Sequence, residues 1–321
     1  MLARIKRNTL PFQHAVLNPE YQKYKAYFDL VPDIKTFAEN VLGFPQTGSY
    51  NTFLPSSGQG HWILSAVRSS VLVPKIWHFP IIGDMPYIGY FKVANLVGEE
   101  KGLQKDGFDT YVRTSAAFSG LGYLNMPVVE SMMQQGEAAF IETLLHEMTH
   151  EAYYLFGATQ FNEGLAQFLA ERATLEFIHS SSGLHKQLHD YEISLERVKH
   201  YRHAILAAWG ALLKLLGTDS HATPIEDWKV QKEKIFNVLN QRLQREQLGL
   251  SSSPQPKPWN NARIYAEVIY MADHCYFEVL YRNQKFPVLK AFFKWIKLNI
   301  PKDNPSQHLR ELVGITQECH V

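Results

Sequence analysis

The spacing of apolar residues along this chain changes character twice. Over residues 33–42 they recur at helical intervals, which predicts a short amphipathic helix, and Gly43-Phe44-Pro45-Gln46-Thr47-Gly48 then turns the chain. From about residue 50 to 124 the texture becomes β-branched, aromatic and punctuated by glycine and proline, which predicts strands. The best strand candidates are 65–73, 76–79, 108–114 and 117–123, interrupted by a helical stretch at 92–101. Beyond Pro127 the period is almost wholly helical, with helices expected at 184–216, 225–248, 261–283 and 286–298 and a serine- and proline-rich loop at 251–258. No internal repeat is evident. This order predicts an α+β fold, with a small mixed β-sheet in the N-terminal half followed by a mostly helical region.

Two helices near the middle carry the candidate chemistry. Ala138-Ala139-Phe140-Ile141-Glu142-Thr143-Leu144-Leu145 leads in with an apolar helical pattern that Met148, Ala152 and Leu155 continue. Phe156-Gly157-Ala158-Thr159 reads as a helix stop, with Gly157 able to take positive φ. A second helix follows over about 162–178, with Leu165, Phe168, Leu169, Arg172 and Leu175 at helical spacing. So short a connection returns the second helix beside the first.

On the first helix stands His146-Glu147-Met148-Thr149-His150. Residues four apart share a helix face, so the two imidazoles can point one nitrogen each at one small volume, two corners of a zinc tetrahedron. Glu147 can reach a water in that volume and act as general base. Glu163, at the opening of the second helix, is placed to supply a carboxylate as third ligand, and a catalytic zinc wants three protein ligands. Asn162 suits the N-cap of that helix and so can fix where Glu163 points. Glu142, one turn before His146, and Glu171, two turns beyond Glu163, can each accept the second ring N–H of a ligating histidine. Glu171 is also an alternative third ligand, placed further from the turn. The plain alternative is two ordinary amphipathic helices whose histidines and glutamates decorate the surface. The pairing of both segments favours metal-assisted hydrolysis, with a peptide bond as the expected target.

Composition narrows the rest. With 321 residues, 45% hydrophobic and 20% charged, the chain can bury a full core as one large domain or two modest ones. A net charge of +1 gives no reason to expect nucleic acid or an anionic membrane as partner. Two cysteines, Cys275 and Cys319, exclude a disulfide scaffold and a cysteine-based zinc ribbon and leave the compartment undecided. Nothing approaches the roughly 18 uninterrupted apolar residues of a membrane span. Met1-Leu2-Ala3-Arg4-Ile5-Lys6-Arg7-Asn8 has charge but no apolar core behind it, so no signal peptide is expected. His185 and His189 also stand four apart, but among Lys186, Arg197, Lys199 and Arg202 they read as a solvated face.

An extended peptide substrate can pair with an edge strand beside such a site. Ala116-Ala117-Phe118-Ser119-Gly120-Leu121-Gly122-Tyr123 is the best candidate, with Ser119, Gly120, Gly122 and Tyr123 facing substrate, although a glycine-kinked structural strand fits nearly as well. Amide hydrolysis also needs a donor for the oxyanion. Tyr270 is the first candidate, ahead of Tyr265, His274 and Tyr123. No residue can be assigned to hold a free α-ammonium group.

The pairing of HEMTH with the downstream FNEGLAQFLAE resembles the gluzincin metallopeptidases, whose third zinc ligand is a glutamate in such a segment. Closer still is the likeness to a bacterial family of predicted aminopeptidases with an HELxH…FNExxA core. It covers most of the chain: Leu42-Gly43-Phe44-Pro45 with Ser49-Tyr50, the block from Phe79 to Phe91 that contains Pro86-Tyr87-Ile88-Gly89-Tyr90, Gly107-Phe108-Asp109-Thr110-Tyr111-Val112-Arg113, Ser119 to Tyr123, and Asn260-Asn261-Ala262 with Tyr270. The resemblance implies a zincin-like core over 51–180, after an N-terminal helical and loop segment at 1–50 and before a helical region at 181–321 that packs on it. It implies a zinc-dependent peptidase with one Zn2+ on His146, His150 and Glu163 and with Glu147 as base. Two departures stand out. Asn125 and Met126 replace an acidic stretch that family members often carry, and the lipoprotein-type export signal common among members is absent, so export to the periplasm or membrane surface would require a trimmed start. The rival from another class is a non-catalytic zinc-containing module that binds peptides or acts as a chaperone; zinc hydrolysis of a non-peptide amide shares the site and differs in pocket shape.

Overall fold

The elements form where the periodicity places them, with boundaries moved by packing. The computed structural model describes residues 9–55, 62–79, 83–90, 92–114, 125–219, 226–248, 258–314 and 319. Strand β1 (Leu10–Pro11) is followed by helix α1 (Lys25–Phe37), which runs into a π-helical turn at Ala38–Leu42. The helix expected at 33–42 is therefore the second half of a longer one. Phe28, Val31 and Ile34 extend its buried stripe back across Pro32, and this packing outweighs the proline's lost hydrogen bond.

Next come β2 (Thr52–Leu54), β3 (Trp62–Arg68), β4 (Trp77–Phe79), β5 (Gly83–Met85) and β6 (Tyr87–Tyr90), then α2 (Val93–Lys105), β7 (Phe108–Thr114) and β8 (Val128–Val129). β3 lies between β6 and β7, antiparallel to both, while β2 pairs antiparallel with β1 and parallel with β8, and β4 and β5 form a hairpin. The strand expected at 65–73 thus begins and ends earlier, whereas β7 has the bounds its pattern predicts. The strand expected at 117–123 lies outside the described residues. Alternation along β3 sends Leu64 and Ala66 against Leu96 and Leu103 of α2, and Val67 into a second core with the later helices.

The remainder is helical: α3 (Glu137–Ala152), α4 (Thr159–Ser180), α5 (Leu188–Leu216), α6 (Trp228–Arg245), α7 (Asn261–Met271), α8 (His274–Asn283), α9 (Leu289–Asn299) and α10 (Pro305–Val313). Small mixed sheets in the N-terminal half and helices after them make the fold α+β, as the sequence predicts. α4 is buried on nearly every side, from Phe161 and Leu165 through Phe168, Leu169 and Ala173 to Phe177, and is the axis of the main core. α3 packs on it through Phe140, Ile141, Leu144, Leu145 and Met148. Gly157, at φ 73°, makes the turn between them.

The single helix expected at 261–283 breaks between α7 and α8. Asp273, fully buried at the break, accepts hydrogen bonds from Gln160 Nε2 at 2.5 Å, from Arg310 Nη2 at 3.1 Å and from the Ser306 hydroxyl. A buried carboxylate needs such partners, and the break lets it meet them. Gly164 of α4 packs so closely here that a Cβ would lie 3.0 Å from Asp273 Cβ. One disulfide, Cys275–Cys319, ties the segment after α10 to α8; it is a single crosslink on an ample core. No helix among the described residues is long and apolar enough to cross a membrane.

Candidate metal centre

The i, i+4 spacing on α3 puts His146 and His150 on the face turned to α4, and the tight turn at Gly157 brings Glu163 opposite them. Three atoms meet. His146 Nε2 lies 3.1 Å from His150 Nε2, and Glu163 Oε2 lies 3.2 Å from the first and 3.4 Å from the second. All three residues are buried. Ligand atoms held about 2.0 Å from one ion at tetrahedral angles stand about 3.3 Å apart, so this triangle has the dimensions of one face of a zinc tetrahedron. The donor set fits as well: two imidazole nitrogens and a carboxylate oxygen converge on one small space, the ligand types a divalent cation takes. His146, His150 and Glu163 together could hold a metal ion.

Electrostatics follow the geometry. Burial alone would raise the Glu163 carboxyl, but His150 and His146 hold it well below the usual carboxylate range. Glu147 goes the other way: burial pushes its carboxyl up to about 7, His146 opposes this, and Glu163 and Glu151 add to it. One turn beyond Glu147, Glu151 accepts from the Thr47 and Ser49 hydroxyls, each at 2.6 Å, which locks the 47–50 loop onto α3. Tyr50, buried there with φ 61°, sits in a backbone region that bulky residues rarely adopt.

Several expected roles are placed differently. Asn162 is not the N-cap of α4, which starts at Thr159 after Ala158. Its amide instead clamps the loop before the helix, accepting from Leu155 N–H at 2.9 Å and donating to Leu155 C=O at 2.7 Å. A primary amide can satisfy both backbone groups of a buried residue, and that outcompetes capping. Glu142 accepts from Gln167 Nε2 at 2.8 Å and from the Tyr191 hydroxyl at 2.7 Å. Glu171 accepts from Gln167 at 2.7 Å, from His274 Nε2 at 2.9 Å and from Arg202. Neither carboxylate bonds a HEMTH imidazole, and Glu171 is not a third ligand. Both belong to a buried polar network behind the site, where Arg202 supplies a stronger partner than a neutral imidazole N–H. His150 Nδ1 is buried with no hydrogen-bond partner among the described residues.

Of the candidate oxyanion donors, Tyr270 reaches the centre, with its ring 6.3 Å from that of His146. His274 is held in the Glu171 network, and Tyr265 packs against Trp209 in the second core. Ser119, Gly120, Gly122 and Tyr123 lie outside the described residues. His185 and His189 are exposed, as a solvated face requires.

Three residues near the cluster escaped the sequence reading. Tyr87 of β6 donates its hydroxyl to Glu163 Oε1 at 3.2 Å, Arg113 of β7 donates Nη2–H to the Tyr270 hydroxyl at 2.8 Å, and the Tyr154 ring lies 6.0 Å from that of His150. Tyr154 stands four residues after His150 but beyond the end of α3, where Tyr153 is extended, so the loop and not helical spacing brings it there. Tyr87 and Arg113 fall in blocks that carry the family likeness, but no spacing ties them to the ligands, because strand pairing far from the motif delivers them.

The family described as "Putative aminopeptidase" matches residues 4–308. No curated protein and no solved structure matches the chain.

Proposed function

We propose that this chain, which belongs to the family described as "Putative aminopeptidase", is a zinc-dependent peptidase that releases residues from peptide N-termini, with His146, His150 and Glu163 holding the ion and Glu147 serving as general base. The observation that supports this most is the triangle of 3.1–3.4 Å between three ligand atoms, with a half-buried carboxylate on the residue after the first ligand. A bound zinc ion supplies Lewis acidity toward water and the scissile carbonyl. Glu147 takes a proton from the attacking water as the new C–O bond forms, then delivers it to the amine nitrogen as the C–N bond breaks. The Tyr270 hydroxyl donates to the oxyanion that develops on the carbonyl oxygen. A purely structural site has no use for a base beside its ligands, which disfavours a non-catalytic peptide-binding module.

The test is a product profile from a peptide mixture incubated with zinc-loaded protein, together with metal analysis. Expected are about one zinc per chain and single amino acids released from N-termini. Internal fragments would remove the exopeptidase part, and metal and peptide binding with no cleavage would leave the non-catalytic module. Glu147→Gln is expected to keep its zinc and lose roughly 10²–10⁴-fold in kcat.

A further inference from the structure

We infer that Arg113 is a positioning residue, one that holds the Tyr270 hydroxyl with its proton aimed at the substrate's carbonyl oxygen. The inference rests on the peptidase reading above and adds a residue and a physical device to it.

A guanidinium has donors only, so in the 2.8 Å contact the Tyr270 oxygen must accept from Arg113 Nη2–H. With that lone pair engaged, the phenolic proton has to point elsewhere. The guanidinium also sits 5.3 Å from the centre of the Tyr270 ring, so the arginine grips the phenol by oxygen and by face. Tyr270 lies in turn against His146. A phenol whose oxygen accepts from a permanent cation is a stronger donor through its own O–H, and chained hydrogen bonds polarise in this way.

The charge of Arg113 points to an anion. A half-buried guanidinium beside a cluster built for a divalent cation opposes binding of that cation, and withdrawing it from water is costly. What gains from it is negative charge that grows during the reaction on the carbonyl oxygen. Arg113 Nε is buried with no hydrogen-bond partner among the described residues, so the side chain is held here without full satisfaction of its donors.

The fold sets the Arg113–Tyr270 pair rigidly. β7 pairs with β3 from Phe108 to Thr114, with Arg113 opposite Ile63. The Asn260-Asn261 start of α7 is bolted to the same strands. Asn260 Nδ2 donates to Thr110 C=O at 2.9 Å, Asn261 N–H to Asp109 Oδ2 at 2.9 Å, and Asn261 Nδ2 to Arg68 C=O at 2.8 Å. The segments 107–113 and 260–262, which the ligand chemistry leaves unexplained, thereby tie the strand of Arg113 to the helix of Tyr270.

The competing explanation is that Arg113 merely balances Glu267, a half-buried carboxylate one turn before Tyr270 on α7 that Arg113 and Arg263 both act on. The experiment separates the two. Arg113→Met, Arg113→Lys, Tyr270→Phe and the Arg113→Met/Tyr270→Phe pair are assayed for kcat and KM on a peptide the zinc-loaded wild type cleaves, for metal content, and by calorimetry for binding of a phosphinic pseudopeptide that mimics the tetrahedral oxyanion. Expected for Arg113→Met is a fall in kcat of about 10–100-fold, the range seen when supporting partners are removed, with KM and zinc content retained. Tyr270→Phe is expected to lose about 10²–10³-fold, and the double variant no more than Tyr270→Phe alone. Phosphinate affinity falls in parallel with kcat/KM, while product-peptide affinity holds. Arg113→Lys keeps the charge and one donor, and is expected to recover part of the loss even if Arg113→Met folds poorly.

Multiplicative losses in the double variant, a change confined to KM, or unchanged phosphinate binding would overturn the inference. Restoration of activity in Arg113→Met/Glu267→Gln would do the same and assign Arg113 to Glu267. A zinc-loaded wild type that cleaves no peptide would overturn the parent reading together with this one, whereas an active wild type with an indifferent Arg113→Met removes this one alone.

Discussion

Replacing Asn162 by alanine tests how the loop between α3 and α4 holds Glu163 opposite the histidines. Asn162 is buried, and its two hydrogen bonds, at 2.9 and 2.7 Å, satisfy both backbone groups of Leu155, itself buried. Alanine leaves the buried Leu155 N–H without a partner, at about 1–3 kcal/mol, while Leu155 C=O keeps its second bond, from Ala158 N–H at 3.2 Å. The vacated volume has polar walls and can admit a water that recovers part of this, so the expected loss is about 1–3 kcal/mol. Urea unfolding followed by circular dichroism reads it as a lower midpoint at unchanged slope. Because Glu163 is the next residue, zinc affinity measured by chelator competition should also fall, by about 10–100-fold. Asn162→Asp keeps the acceptor for Leu155 N–H but turns a carboxylate oxygen toward Leu155 C=O, and should be no better than alanine. A loss below about 1 kcal/mol would show that the clamp is not what closes this loop. Full destabilisation with unchanged zinc affinity would show that it closes the loop without positioning Glu163.

Tyr87→Phe removes the hydroxyl that donates to Glu163 Oε1 and should weaken zinc binding by about 10-fold with little change in urea midpoint, since a supporting partner is lost without a cavity; equal zinc affinity in both proteins would refute that support. Arg202→Met strands Glu171 as a buried carboxylate and should cost about 3–5 kcal/mol in the same urea titration, whereas a neutral outcome would mean that Gln167 and His274 suffice. His274 gives a pH dependence. Burial and then Arg202 hold its folded-state pKa below the ordinary 6.5, against the pull of Glu171. Below about pH 6.5 the unfolded chain therefore takes up a proton that the folded chain refuses, and stability drops as pH falls. His274→Gln should flatten the stability difference between pH 7 and pH 5 relative to wild type, and parallel profiles would contradict this.

What this chain's sequence determines is local. Four-residue spacing on a helix puts His146 and His150 on one face whatever surrounds them, and a six-residue link with Gly157 leaves the next helix little choice but to return, carrying Glu163. Those relations depend on helix geometry and chain length, which are written in consecutive residues. The family likeness stated from the motifs agrees with the family that matches, but neither names the groups around the ligands. Tyr87 and Arg113 arrive on strands that precede the motif by many residues, through β3 pairing and the Asn260-Asn261 ties, and no periodicity encodes such a meeting. Glu142 and Glu171 lie on the faces the helical spacing assigns them. Yet tertiary packing supplied Gln167, Arg202, Tyr191 and His274 as better partners, and it broke the 261–283 helix where the buried Asp273 needed donors. Local order follows from covalent geometry, whereas buried polar groups choose among every partner the folded chain brings within reach.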